Sequence, residues 1–332
     1  MSAHIRKVGL ALALWIVLPC LLIEVGLRLF DPLGVGYFTE AAEYFRAVER
    51  GGPWAYLNPA GAEFQLGGAE VRINRHGLRG PEFTVSKPPG SRRLLVLGDS
   101  VVFGWGVAQE DIFPALLQRK LAAAGAGVEV IAAGAGSWNT RTEYEFLREL
   151  GIDYEPDVLL LVIVANDIEP KRGARSEVPE ERLFEHSAPG RRGRLTWLAD
   201  EVWGALATRS HLAGSVQFLR ARSRARPGLE ELRDSPQWQD ARLALEGIAR
   251  LCRSKGIELV VTLFASDRTL AGGSPLLLYE EVLAAQGIPA HRVPDALFRD
   301  ASLRNSVVDS HPNAAGHALL AEALYADLAS AP

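Results

Sequence analysis

A nucleophilic hydroxyl, an imidazole and a carboxylate occur in this sequence on short motifs far apart in the chain. The first motif is "LLVLGDSVVFGWGV", residues 94–107. Its apolar run stops at Gly98-Asp99-Ser100, and glycines and a tryptophan follow at once. A buried strand that meets a small, polar, turn-forming triplet presents one side chain at the edge of a sheet, and here that side chain is Ser100. The last motif is "VVDSHPNAAGHALLAEAL", in which Asp309 and His311 stand two apart, just before a helix that starts near Pro312 or Asn313. A serine hydroxyl is a poor nucleophile at neutral pH. It needs an adjacent base, the base needs an orienting acid, and the oxyanion formed on an attacked carbonyl needs donors. The donors have candidates too. "AAGAGSWNT", residues 132–140, is a small-residue loop whose backbone N–H groups can point into a cleft, and "VANDI" offers the side-chain amide of Asn166.

These motifs follow elements that can position them. "RLLVLG", "VEVIAAG", "DVLLLVIVA", "GIELVVTLFA" and a short "AHRVPDAL" read as strands, the third apolar on both faces as a central parallel strand should be. "PALLQRKLAAAG", stopped by Gly125, and "TRTEYEFLREL" read as helices between them. Strands alternating with helices predict an α/β fold, a parallel sheet covered on both faces. Open sheets of this kind place their sites at strand carboxyl ends, where all these motifs fall. The stretch 170–245 interrupts the alternation with helical, arginine-rich sequence. It is either an insertion that shapes a cleft or a solvated helical pair.

"GDS" after the first strand, the Gly-rich loop, "ND" after the third strand and "DSHPNAAGH" near the end, in that order, resemble the SGNH (GDSL) hydrolase superfamily. The resemblance covers roughly residues 93–328 apart from 170–245. It implies a flavodoxin-like, three-layer α/β/α fold with a parallel sheet, and activity as an esterase, deacetylase, lipase or acyltransferase. It also implies Ser100 as nucleophile, His311 as base, and Asn166 and the Ser100 backbone N–H as oxyanion donors. No Gly-x-Ser-x-Gly elbow is present, since Val102 stands two after Ser100, which argues against the ordinary α/β-hydrolase fold. Three departures stand out. Ser137 occupies the position of the loop glycine whose N–H is a further oxyanion donor. Val164 replaces the glycine before "xND". Val308 replaces the acid three residues before the histidine, which leaves Asp309 as the nearby acid. Asp309 then orients His311; alternatively it caps the following helix, and a backbone carbonyl holds the imidazole in a dyad.

Each motif also has a plainer reading. Gly-Asp-Ser can be a helix start capped by Asp99 or Ser100, "ND" a turn, and "HPNAAGH" a helix N-terminus with Asn313 as cap and His317 on the surface. Asp99 reads as holding its turn and Asp167 as a loop support. For Trp105 and Trp138, which flank the expected cleft, core packing is the default. Together the motifs point to a serine esterase or deacylase working through Ser100, His311 and Asp309. Two alternatives remain: an O-acyltransferase moving acetyl to or from an envelope glycan, and a catalytically silent envelope-assembly protein of the same fold. The expected substrate is an acyl ester, on an envelope glycan or a lipid. No HExxH, paired CxxC or histidine cluster suggests a metal, and no cofactor is implied.

The remaining sequence bears on location. Residues 8–30, "VGLALALWIVLPCLLIEVGLRLF", are almost wholly apolar and follow Arg6 and Lys7. About 20 such residues span a bilayer core, so a single-pass transmembrane helix is expected. No small-x-small cleavage site follows it, and Pro19 before Cys20 does not suit a lipoprotein signal. Glu24 and Arg28 stand one turn apart at its far end, where they can pair. The positive-inside rule puts the N-terminus in the cytoplasm and the rest outside it, on the periplasmic side. The expected organisation is an anchor over 1–30, a turn-rich juxtamembrane spacer over 31–90, and a hydrolase-like domain over 91–330. The net charge of −4 in 332 residues, with no basic stripe, argues against nucleic acid as a partner. The two cysteines, Cys20 and Cys252, lie too far apart in the chain to suggest a disulfide.

Overall fold

The apolar run that ends at Gly98 is strand β1 (Arg92–Gly98) in a computed structural model of the chain. The other expected strands form as β2 (Val128–Gly134), β3 (Val158–Ile163), β4 (Glu258–Leu263) and β5 (Ala290–Arg292). The structure describes residues 11–184, 202, 205–223, 227–265 and 273–330. All strand pairs in this sheet are parallel, in the order β2-β1-β3-β4-β5. This is a doubly wound order. The winding reverses beside β1, so the carboxyl end of β1 opens into a crevice between outgoing loops.

The principal helices of this part are α1 (Ser100–Phe103), α2 (Phe113–Ala123), α3 (Thr140–Glu149), α4 (Pro236–Lys255), α5 (Leu276–Ala285) and α6 (Ala314–Ser330). Alternate residues of the strands serve opposite faces. Leu94, Val96, Leu160, Val162 and Val260 share a core with Phe113 and Leu117 of α2 and Leu320 and Leu324 of α6. Leu95 points the other way, toward the Phe146 and Leu147 side of α3, which packs on α4. Burying each such side chain contributes about 1.5–3 kcal/mol. Local signals set the helix ends. Ser235 caps α4 by accepting the Trp238 N–H, Pro236 opens it, and Gly256, at φ +69°, ends it.

By its contacts the chain divides into two units. One comprises residues 1–46, 188–226 and 306–310; the other comprises 47–187, 227–305 and 311–332 and holds the sheet. Residues 47–90 therefore belong with the sheet, and contain an antiparallel hairpin of Glu63–Leu66 with Ala69–Arg72. Within the stretch 170–245, residues 185–201, 203–204 and 224–226 lie outside the described residues. Of the rest, the helix His211–Ser223 falls in the first unit, whereas Glu180–Leu183, Leu229–Arg233 and the start of α4 fall in the second.

In the first unit the expected span begins outside the described residues. Its described part divides into a π-helix, Ala13–Val17, and an α-helix, Leu18–Phe30. Among the described residues no helix is long and apolar enough to cross a membrane. Glu24 and Arg28 do pair, at 2.6 Å. Glu24 also accepts hydrogen bonds from Ser210 Oγ and the N–H groups of His211 and Leu212, and so caps the helix His211–Ser223. Asp31 caps the next helix by accepting from the N–H groups of Val35 and Gly36.

The seat of α1 limits what the ends of β1 and β2 can carry. A Cβ on Gly134 would lie 2.6 Å from Phe103 N and 2.9 Å from Asp99 O, and one on Gly98 would lie 2.6 Å from Val102 Cγ2. Gly134→Ala must therefore lift α1 off the sheet. Denaturant titration should show a loss of about 1–3 kcal/mol, the range for overpacking a core. Unchanged stability would mean that α1 is not seated on this glycine.

Candidate active site

Ser100 is the first residue of α1, directly beyond β1. Its Oγ lies 2.8 Å from His311 Nε2. The turn between strand and helix is held by Asp99, whose Oδ1 accepts the Val101 N–H at 2.9 Å. Asp99 Oδ2 lies 3.1 Å from Ser100 Oγ. Ser100 is only 6% exposed, so few waters compete for its hydroxyl.

Two residues without any sequence signal fix this geometry. Arg79 is buried, and its guanidinium donates to the carbonyls of Phe103, Gly104 and Val107 and to Gln109 Oε1. It thereby satisfies the orphan carbonyls at the end of α1. Burial pushes its pKa down to about 10, with Glu110 acting the other way. Asn305 is the second. Its side-chain amide donates to Trp105 O at 2.9 Å, and its N–H donates to His311 O at 3.0 Å. The Trp105 ring stacks on the His311 imidazole, with centroids 5.9 Å apart and planes 21° from parallel. Trp105 and Trp138 are both buried.

His317 departs from the surface reading. It is wholly buried, stacks on Phe113, and its Nδ1 accepts the Phe113 N–H at the start of α2. Burial, with the nearby charges of Arg79 and His311, pushes its pKa down to about 3. It is a neutral tie between α6 and α2. Asn313 does act as a cap, accepting the Gly316 N–H at 3.1 Å. Gly316 is needed at its place, because a Cβ there would meet Leu303 O at 2.5 Å and Pro312 Cβ at 2.8 Å.

Ser137 and Asn166 lie on the loops that leave β2 and β3, the two strands that flank β1. Gly98 is in register with Gly134, and Leu97 with Leu161, so all three loops leave one edge of the sheet. Ser137 has φ +59°, the left-handed region that suits glycine. Its loop is pinned by Tyr56 Oη, which donates to Gly136 O at 2.7 Å, and by the Asn139–Thr142 capping box. Asn139 Nδ2 also donates to Glu169 O, which ties the loop after β2 to the loop after β3. Val164, in place of a glycine, is buried, and its N–H donates to Asp167 Oδ2 at 2.8 Å. Asp309 falls in the segment 306–310 that belongs to the first unit. It is buried there, its N–H donates to Ser306 Oγ, and its carbonyl accepts the Ser306 N–H.

Behind Ser100 lies a group of buried acids. Asp99, Glu143 of α3 and Asp167 are each almost fully buried. Burial pushes all three carboxyl pKa values up. Repulsion between carboxylates that would ionise side by side adds to this at Glu143 and Asp167. Both Glu143 oxygens and Asp167 Oδ1 have no hydrogen-bond partner among the described residues. Tyr279 of α5 faces the same group, with its hydroxyl 2.8 Å from Thr140 Oγ1. Burial, then Asp167, raises its pKa well above the usual range. Among the described residues, no cluster of His, Cys, Asp and Glu is arranged to hold a metal ion. The helical reading of α3 carried no signal for this burial, since Glu143 stands among other charged residues of the helix.

A serine hydroxyl held against an imidazole, at the switch point of a doubly wound sheet, is the arrangement of a serine hydrolase, and the family to which the chain belongs makes it one acting on esters. The chain belongs to the GDSL-like lipase/acylhydrolase family, whose model matches residues 96–319. Among solved structures it is similar to a psychrotrophic esterase, EstA, from Pseudoalteromonas sp. (15% identity, 72% of this chain and 97% of that one, TM-score 0.45). It is also similar to TesA (16%, 71% and 98%, TM-score 0.45) and to a lipase/acylhydrolase from Enterococcus faecalis (16%, 71% and 95%, TM-score 0.40). No curated protein matches the chain.

The acid cluster has a pH signature. Glu143 holds its proton in the folded state above its ordinary value of 4.5, whereas the unfolded chain ionises there. Stability from this group is therefore present below pH 4.5 and is lost as pH rises toward the folded-state value. Glu143→Gln cannot ionise. Its stability relative to the parent should grow as pH is raised from 4.5 into the alkaline range, measured by urea titration at each pH. A pH-independent difference would show that Glu143 does not hold its proton on folding.

Proposed function

We propose that this chain cleaves acyl esters by way of an acyl-enzyme on Ser100. One observation carries the reading: the 2.8 Å approach of Ser100 Oγ to His311 Nε2. His311 takes the serine proton as Oγ attacks the acyl carbon and returns it to the leaving alcohol; water then repeats the cycle on the acyl-enzyme. Asp309 orients His311 and stabilises the imidazolium, a role supported by its burial and its place two residues before the histidine. The Ser100 and Ser137 N–H groups and the Asn166 amide receive the oxyanion. The common edge from which their three loops leave supports this role.

Ser100→Ala should lose activity on short-chain acyl esters by a factor on the order of 10⁴ and should no longer be labelled by a fluorophosphonate. Activity within a few-fold of the parent would overturn the serine mechanism. Asp309→Asn separates triad from dyad. A steep fall in turnover with little change in melting temperature supports the triad, because an amide favours the wrong tautomer and cannot offset the imidazolium charge. Near-parental turnover beside an inactive His311→Ala would leave a dyad.

We also propose that residues 8–30, part of which lie outside the described residues, anchor the protein in a membrane with its catalytic part on the periplasmic side. The helix Leu18–Phe30 buries none of its side chains, and Trp15 and Phe30 are 81% and 80% exposed. An unburied apolar helix of this kind suits a lipid environment. A reporter active only in the periplasm, fused after Pro332, should be active, and the protein should remain with membranes after high-salt washing. Release of the mature protein into the soluble fraction would refute the anchor.

A further inference from the structure

Ser100 Oγ carries one proton and has two neighbours able to accept it. His311 Nε2 lies at 2.8 Å and Asp99 Oδ2 at 3.1 Å. Only the first of these leads to attack, because the proton must leave to the base as the nucleophile forms its bond. The two oxygens of Asp99 are not equivalent. Oδ1 accepts the Val101 N–H, so a proton on this acid is best carried by Oδ2, the oxygen that faces Ser100. We propose that Asp99 is a positioning residue that works as a neutral acid, donating from Oδ2 to Ser100 Oγ and so turning the serine proton toward His311 Nε2. The inference rests on Ser100 being the nucleophile.

The surroundings favour the neutral form. Asp99 is 1% exposed. Burial disfavours its charge and pushes its carboxyl pKa up, and Glu143, from α3, Asp167, from the loop after β3, and Tyr279 of α5 lie in the same buried group. Against this stand the N–H groups of Val101 and Ser100, the Ser100 hydroxyl and the imidazole side of His311, all of which favour a carboxylate. Lys171 acts in the same sense on Asp167. During attack the Ser100 proton passes to His311, Oγ bonds to the acyl carbon, and the carbonyl electron pair moves to the oxyanion. The Asp99 proton stays on Oδ2 throughout. When Asp99 ionises, Oδ2 becomes an acceptor, the serine proton turns to it, and activity falls on the alkaline side.

Asparagine reproduces the neutral acid, since its Oδ1 can accept from Val101, its Nδ2 can donate to Ser100 Oγ, and it does not ionise. Alanine keeps neither contact. The test measures kcat and KM for a short-chain acyl ester across pH, with thermal unfolding of each variant. Asp99→Ala should lower kcat about tenfold or more with little change in KM. Asp99→Asn should restore most of that loss and should lack the parent's alkaline fall. An Asp99→Asn enzyme as slow as Asp99→Ala, or one that keeps the parent's alkaline fall, overturns the proposal. Should Asp99→Ala fail to fold, the infrared difference between the parent and Asp99→Asn decides. A protonated carboxyl stretch present in the parent and lost in Asp99→Asn supports the neutral acid, and its absence rejects it. Ser100→Ala in the same assay tests the nucleophile separately: activity surviving there sinks the serine reading, whereas its loss beside a slow Asp99→Asn sinks only the role of Asp99.

Discussion

Ser100 Oγ and His311 Nε2 must be held 2.8 Å apart although 211 positions separate them in the chain. A hydrogen bond of this kind supplies about 1 kcal/mol net, far too little to gather that much chain. The contact is therefore a consequence of the scaffold. The serine side is fixed by β1, by the glycine seat under α1 and by the Arg79 guanidinium on the carbonyls that follow. The histidine side is fixed by Asn305, by the Trp105 ring, and by α6, which packs on α2 and is tied to it by His317. Trp105 and Asn305 join the two sides directly, so the imidazole is set against the loop that follows the serine.

The acids behind Ser100 run against stability. A buried carboxyl with no hydrogen-bond partner is unfavourable, and three in one neighbourhood cannot all ionise. Apolar side chains there would pack without that penalty, so the cluster must be weighed against what it does for the site. Asp99 and Asp167 each hold a turn by accepting a backbone N–H, and Asp99 touches the serine hydroxyl as well. Such a cluster favours protonated acids at the edge of the sheet, beside the Ser100 hydroxyl.

The first unit shows the opposite balance. Its apolar helix leaves its side chains exposed, whereas its polar groups are well partnered. Glu24 caps one helix, pairs with Arg28 and binds Ser210, and Asp31 caps another. Backbone groups at the helix starts are thus satisfied by side chains of the chain itself, while the apolar surface is left to its environment.

By itself the sequence determined the five strands, the helices α2, α3 and α6, and the places of Ser100 at a strand end and of His311 just before a helix. These follow from local physics: long apolar runs become buried parallel strands, and a small polar triplet at a strand end makes the turn into a helix. The glycines of the motifs were legible as turns, but Gly134 and Gly316 are required for close approach, which only the folded contacts reveal. Tertiary structure alone decided the burial of Glu143, the clamp of Arg79, the bridge of Asn305 and the neutral tie of His317. A lone Arg, Asn or His looks the same in sequence whether solvated or buried. Its state depends on partners far along the chain, as with Arg79, whose carbonyl acceptors lie 24 to 28 residues away, and His317, whose donor lies 204 away. The same holds within α3: Arg141 is buried because Asp240, 99 residues on, meets it at 2.8 Å, and no local periodicity encodes that meeting.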